Sequence, residues 1–165
     1  MKKRIISNLV FLIILGTIVI MACNNNPVIN NTYTVSGTVT FADTSNLITD
    51  TAVGFYTVDA FSTWFPTGSP NGFAVLNITK TGNVYSANYS IPGLSNGIYV
   101  ITTAFLKKPY PAPNHILGLG LYGCDTSHSF SCLSNPPNKA NIAGYNVTGI
   151  NFLSWLDTTK QIYKF

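Results

Sequence analysis

From Tyr33 onward the chain is built of short runs of β-branched and aromatic residues, cut at close intervals by clusters of Gly, Pro, Asn, Asp and Ser. Such runs favour a pleated, half-buried surface, and the clusters between them supply turns. The clearest is Tyr33 to Phe41, where Tyr33, Val35, Gly37, Val39 and Phe41 alternate with Thr34, Ser36, Thr38 and Thr40. A period of two puts the first set on a buried face and the hydroxyls on the other. Further strands are predicted at Val53 to Phe61, Phe73 to Thr79, Asn83 to Ile91, Gly97 to Leu106, His115 to Tyr122, Ala140 to Ala143 and Asn146 to Trp155. Between them, Thr81-Gly82-Asn83, Pro92-Gly93 and Asn96-Gly97 can each supply a positive φ or a fixed bend. No window repeats apolar residues at helical spacing, and no repeat of fixed period is present. About seven or eight short strands without helices to cover a parallel sheet predict an all-β, antiparallel two-sheet sandwich over residues 33–165.

The first 22 residues follow a different pattern. A basic start (Lys2, Lys3, Arg4) leads into an apolar run from Leu9 to Ala22, interrupted by Gly16 and Thr17. Fourteen residues are too few for a membrane span, which needs about 20. The layout is that of a helical secretory signal, residues 1–22. It ends Ile20-Met21-Ala22-Cys23, and this resembles the lipobox of bacterial lipoproteins: an aliphatic residue, a variable one, a small one, then cysteine. The resemblance implies cleavage after Ala22, a diacylglyceryl thioether on Cys23, and acylation of the new amino terminus, palmitate being a typical chain. Each buried methylene contributes about 0.8 kcal/mol, so three chains exceed what stable anchoring requires. Membrane lipid is therefore an expected partner. Asn24, in place of Asp, implies by the same resemblance sorting to the outer membrane of the cell envelope. Residues 23–32 continue as an Asn-rich segment, NNNPVINNT after Cys23, with the composition of a flexible tether.

Composition changes the picture in one respect. The net charge of +4 suggests a binder of nucleic acid until its positions are read. With Lys2, Lys3 and Arg4 set aside, six Lys face five Asp, and a body charge of +1 leaves no footprint for a phosphate backbone. Nucleic acid is excluded as a partner on this ground.

Within the body, Tyr33-Thr-Val-Ser-Gly-Thr-Val-Thr, then Ile91-Pro-Gly-Leu-Ser-Asn-Gly-Ile-Tyr-Val, then Tyr145-Asn-Val-Thr-Gly-Ile-Asn-Phe occur in that order. The series resembles the carboxypeptidase-regulatory-like, or transthyretin-like, β-sandwich of bacterial surface and periplasmic proteins. The resemblance implies that Tyr99 lies in the core at a sheet edge and that the Gly-Ile-Asn-Phe strand closes the sandwich. It implies accessory, adhesive or sugar-binding roles and says little about activity. The loop KKPYPAPN, Lys107 to Asn114, and the cysteine-bearing loop depart from that family.

Cys124 and Cys132 bound the loop CDTSHSFSC. In an exported protein the leading reading is a disulfide, stabilising by roughly 2.5 kcal/mol in the chain-entropy model. The alternative is a zinc site in which Cys124, His128 and Cys132, with His115, supply soft ligands. Catalysis has little to work with. His115 and His128 are the only bases near neutrality, the five Asp are scattered, and neither Gly-x-Ser-x-Gly nor Ser-x-x-Lys occurs. No catalytic residue, cofactor or metal is assigned, and the expected class is a non-catalytic envelope module, binding or structural. Candidate binding residues are Trp64 and Phe65 in FSTWFPTGSPNG and Tyr110 between two prolines, whose rings could stack on a glycan or enter an envelope protein. Packing of Trp64 into one end of the sandwich is the competing reading, and a subunit of a surface fibre is another.

Overall fold

A computed structural model describes residues 31–42, 47–111, 115–124, 135–136, 138–155 and, for the backbone alone, 163–164. The signal segment, Ala22, Cys23, most of the tether, Asp125, His128 and Cys132 lie outside the described residues. Ten strands are present among these described residues: β1 (Tyr33–Ala42), β2 (Gly54–Phe61), β3 (Gly72–Val75), β4 (Thr79–Thr81), β5 (Val84–Leu94), β6 (Gly97–Lys107), β7 (Ile116–Leu121), β8 (Ala140–Ile142), β9 (Phe152–Trp155) and β10 (Tyr163–Lys164). There is no helix among the described residues.

The all-β class is therefore as the sequence implies. The hydrogen bonding, however, does not divide the strands into two antiparallel sheets. They form one sheet in the order β3-β2-β6-β7-β9-β1-β5-β4, with β10 beside β7 and β8 beside β6. It is mixed, because β1 and β9 run parallel from Val39↔Phe152 to Ala42↔Trp155. The sheet curls into a half-barrel. Its two outermost strands, β3 and β4, are separated in the chain only by Leu76, Asn77 and Ile78. Four Cα steps reach at most about 15 Å, so the two edges of the order are held close and the sheet must bend.

Two halves that a sandwich would keep apart are joined at β7, which pairs with β6 on one side and with β9 at Gly120↔Ser154 on the other. Gly120 makes this possible. A Cβ there would lie 2.5 Å from Thr103 Oγ1 and 2.6 Å from Ser154 Oγ. With hydrogen in its place, the two buried hydroxyls hydrogen-bond each other over the glycine, linking β6 to β9.

The concave face holds the core: Val35, Val39 and Phe41 from β1, Tyr56, Val58 and Ala60 from β2, Ala87, Tyr89 and Ile91 from β5, with Phe105, Leu119 and Phe152. Its rings meet edge-on or tilted, Tyr56 with Phe105 at 4.9 Å and Tyr89 with Phe152 at 6.3 Å between centroids. The Tyr89 hydroxyl donates to the Ile150 carbonyl at 2.7 Å, and burial followed by the neighbouring Tyr122 pushes its ionisation far above the usual tyrosine range. Tyr99 is buried, and its hydroxyl donates to the Ser95 carbonyl.

Two predicted strands differ from what forms. Phe73 to Thr79 divides into β3 and the start of β4, because Leu76 turns inward and its amide bonds Tyr56 O while the chain crosses between edges. Asn146 to Trp155 is a strand only from Phe152. Before it, Asn146 Oδ1 accepts from the Thr34 amide and Asn151 Oδ1 from the Thr38 amide, so side chains take over where a ladder would supply carbonyls. Gly149, at φ 76°, breaks the extended run.

Gly120→Ala should lose the Thr103–Ser154 contact and force β7 from its neighbours, lowering stability by about 2–3 kcal/mol. A urea unfolding midpoint equal to that of the wild type would show that this junction does not hold the halves together.

Candidate functional site

β2 is largely buried on both faces. Tyr56, Val58 and Ala60 enter the core, and by alternation Phe55, Thr57, Asp59 and Phe61 stand on the convex side. Cross-strand neighbours extend this second face: Phe61 opposite Val100, Asp59 opposite Thr102 and Phe55 opposite Leu106 on β6, and Asp59 opposite Phe73 on β3. The loop Pro66 to Pro70 leans over it. The result is a cleft of about 540 Å³ walled by Phe55, Phe61, Phe73, Leu106, Ile116 and Tyr110, with Thr57 and Asp59 in its floor.

Asp59 is the group that gives the cleft chemistry. It is 7% exposed. Thr57 Oγ1 donates to its Oδ2 at 3.1 Å, and among the described residues no cation pairs with it. Burial pushes the carboxyl up from the usual carboxylate range to about 7, against a smaller lowering by the Thr57 hydrogen bond. Across the ladder, the buried Thr102 hydroxyl has no hydrogen-bond partner among the described residues. Two polar groups that lack full partners therefore sit side by side on one apolar face, a costly arrangement unless something completes it.

The residues singled out from sequence separate. Tyr110, 46% exposed, lines the cleft and also a shallower hollow with Phe55, Ala52, Lys108 and Pro109. Phe65 is 47% exposed and stacks on Trp64 with ring centroids 5.2 Å apart, next to Pro66 at the cleft's rim. Trp64 is half-buried against Val100, Leu121 and Cys124, a packing role beside the cleft. Asp59, Phe61 and Phe73 escaped the sequence reading. The available signal was the run GFYTVDAF, in which a lone carboxyl interrupts a mostly apolar strand.

His115 does not stand beside Cys124 as a fourth zinc ligand. His115 precedes β7 and Cys124 follows it, so about 20 Å of strand lies between them. His115 Nδ1 is held by the Pro109 carbonyl at 2.8 Å, and Cys124 is buried in the apolar cluster. Cys132 and His128 lie outside the described residues.

Comparison with protein-family models, with curated proteins and with solved structures finds no match to this chain. The cleft must be interpreted from its own residues.

Between about pH 4 and 7 the folded protein keeps a proton on Asp59 that the unfolded chain has released, so this residue's contribution to stability falls as pH rises through that window and levels off above it. The expected slope is on the order of 1.4 kcal/mol per pH unit. Asp59→Asn should abolish it, leaving the variant more stable than the wild type at pH 8 but similar near pH 4. Parallel unfolding curves at both pH values would contradict the assignment.

Proposed function

We propose that the protein is a membrane-anchored module of the bacterial envelope, non-catalytic, which holds a small ligand in the cleft beside β2. The observation that carries the binding half of this reading is the aromatic-walled cavity with a buried carboxyl in its floor that meets no cation among the described residues. Small-molecule sites have this make-up: a mostly apolar wall and a few polar groups that orient the ligand. The anchoring half rests on Ile20-Met21-Ala22-Cys23 after a basic, apolar leader, with the outer membrane as the favoured location. A Cys124–Cys132 disulfide belongs to the same reading, supported by the burial of Cys124 and the oxidising compartment that export implies. Kinship with the transthyretin-like sandwiches is proposed on the same terms. Buried Tyr99 fits it, and the single curled sheet departs from it.

The fibre-subunit reading is weaker. It needs a long open edge able to accept another strand, whereas the outermost strands β3 and β4 have four and three residues. The glycan reading keeps Phe65 and Tyr110 as stacking surfaces.

Two experiments test the proposal. Intact-mass measurement of protein from its bacterial host should show residues 1–22 removed, acyl chains added, and a body two hydrogens lighter than the free thiols require. An unmodified Cys23 would end the anchoring claim. For the cleft, a panel of small amines, amphiphiles and mono- to tetrasaccharides should contain a member that raises the melting temperature by a few degrees at concentrations well above its Kd. Ser69→Trp, placed at the cleft's exposed lip, should remove that shift. Silence across the panel, or a shift indifferent to Ser69→Trp, would overturn the binding claim.

A further inference from the structure

The polar inventory of the cleft narrows its ligand. The side chains that could hydrogen-bond a guest there are Thr57, Asp59, Thr67, Ser69 and the Tyr110 hydroxyl, and everything else on the wall is carbon-rich. A sugar carries a donor and acceptors on nearly every carbon and would leave most of them unpaired in such a place. An apolar body with one strong donor group would not. The position of that donor is set by Asp59, whose Oδ2 takes the Thr57 hydrogen bond while Oδ1 has no partner among the described residues. The Thr102 hydroxyl beside it also has no partner among the described residues. A carboxylate removed from water is stable only when a cation or several donors meet it. Among the described residues, the lysines at the end of β6 are out of reach. Lys107 is opposite Gly54, five residues along β2 from Asp59 and about 17 Å away, and Lys108 lies beyond it. Aromatic rings complete the case, since their negative faces attract cations, and Phe55, Phe61, Phe73 and Tyr110 all border the cavity.

We infer that the cleft selects an organic cation: a protonated amine seated on the Asp59 carboxylate, its apolar, ring-bearing body lying against Phe61, Phe73 and Tyr110. This rests on the binding reading above and goes further by naming the chemical class. The groups facing Asp59 are Thr57 on its own strand, Phe73 from β3 and Thr102 from β6, none titratable. Tyr110 is the other titratable group lining the cleft among the described residues. Because Asp59 must be ionised to receive the ammonium, affinity rises with pH through about 7.

The test uses the full acylated chain in phosphatidylcholine vesicles, with protein-free vesicles as the blank, and equilibrium dialysis of 2-phenylethylammonium, 2-phenylethanol, 3-phenylpropionate and maltose. At pH 8 the ammonium should bind at least about 10-fold more tightly than the alcohol, and the carboxylate should not bind. At pH 6 the advantage should shrink about 10-fold, as the ionised fraction of Asp59 falls. Asp59→Asn should erase the difference between amine and alcohol. Should that variant fail to fold, as judged by circular dichroism, the pH comparison in wild type and the loss of binding in Phe73→Ala, at a side chain 55% exposed, stand in its place. Equal affinity for amine and alcohol at pH 8, or unchanged amine binding in Asp59→Asn, overturns the inference. Maltose binding without amine binding overturns it while sparing the capture role, and no binding by any of the four overturns it too, leaving the capture role to the wider panel and Ser69→Trp.

Discussion

Three residues, Leu76 to Ile78, constrain the whole body. They connect β3, at one limit of the strand order, to β4, at the other. An open sheet of eight strands would hold its limits some 30 Å apart, at nearly 5 Å per strand. A link of about 15 Å is incompatible with that, and the sheet curls. Curling creates an inside, and the inside is filled by the alternating apolar residues of β1, β2, β5 and β6 with Leu119 and Phe152. The same constraint explains why β7 can serve both halves, with Gly120 leaving room for two hydroxyls to meet.

A curled sheet ordinarily offers water its convex face, and strands there alternate apolar with polar. β2 does not follow this rule, because its outward positions are Phe55, Thr57, Asp59 and Phe61. Loops cover that face only in part, with Pro66 to Pro70 and Tyr110 forming walls over it. What is left is a pocket whose floor is strand and whose rim is loop. The floor fixes the carboxyl by the Thr57 hydrogen bond and by neighbours on two strands, and the rim can vary without disturbing it. Once ionised, a carboxyl placed so rigidly among carbon surfaces tolerates few partners.

Much of the strand content was legible in the sequence because alternation and turn chemistry are local. Tyr33 to Phe41 reads correctly almost to the residue, and Gly82, Gly93 and Gly97 have φ values of 61°, 78° and 156° at the turns foreseen. Strand order was not legible, since nothing near Phe152 in sequence shows that it will lie parallel to Val39. Nor was the division of Phe73 to Thr79, which depends on where Leu76 finds its buried site. Among binding candidates, exposed rings in loops drew attention to Trp64, Phe65 and Tyr110. Tyr110 belongs to the cleft, Phe65 stands near its rim, and Trp64 packs beside it. Asp59 was hidden by its company, because a single acid within an apolar strand acquires meaning only when the neighbouring strands are known.

The contacts between β1 and the segment from Asn146 to Asn151 have a consequence for how the molecule comes to be. Thr34 waits for Asn146, 112 residues later, and Thr38 for Asn151, 113 later, while Gly37 is bare so that the Ile150 carbonyl can press against it. The first strand to emerge is thus among the last to be completed. Such distant closures are slow. Under the proposed export through a narrow pore, slowness of this kind is an advantage: the thread stays pliable until nearly all of it has passed.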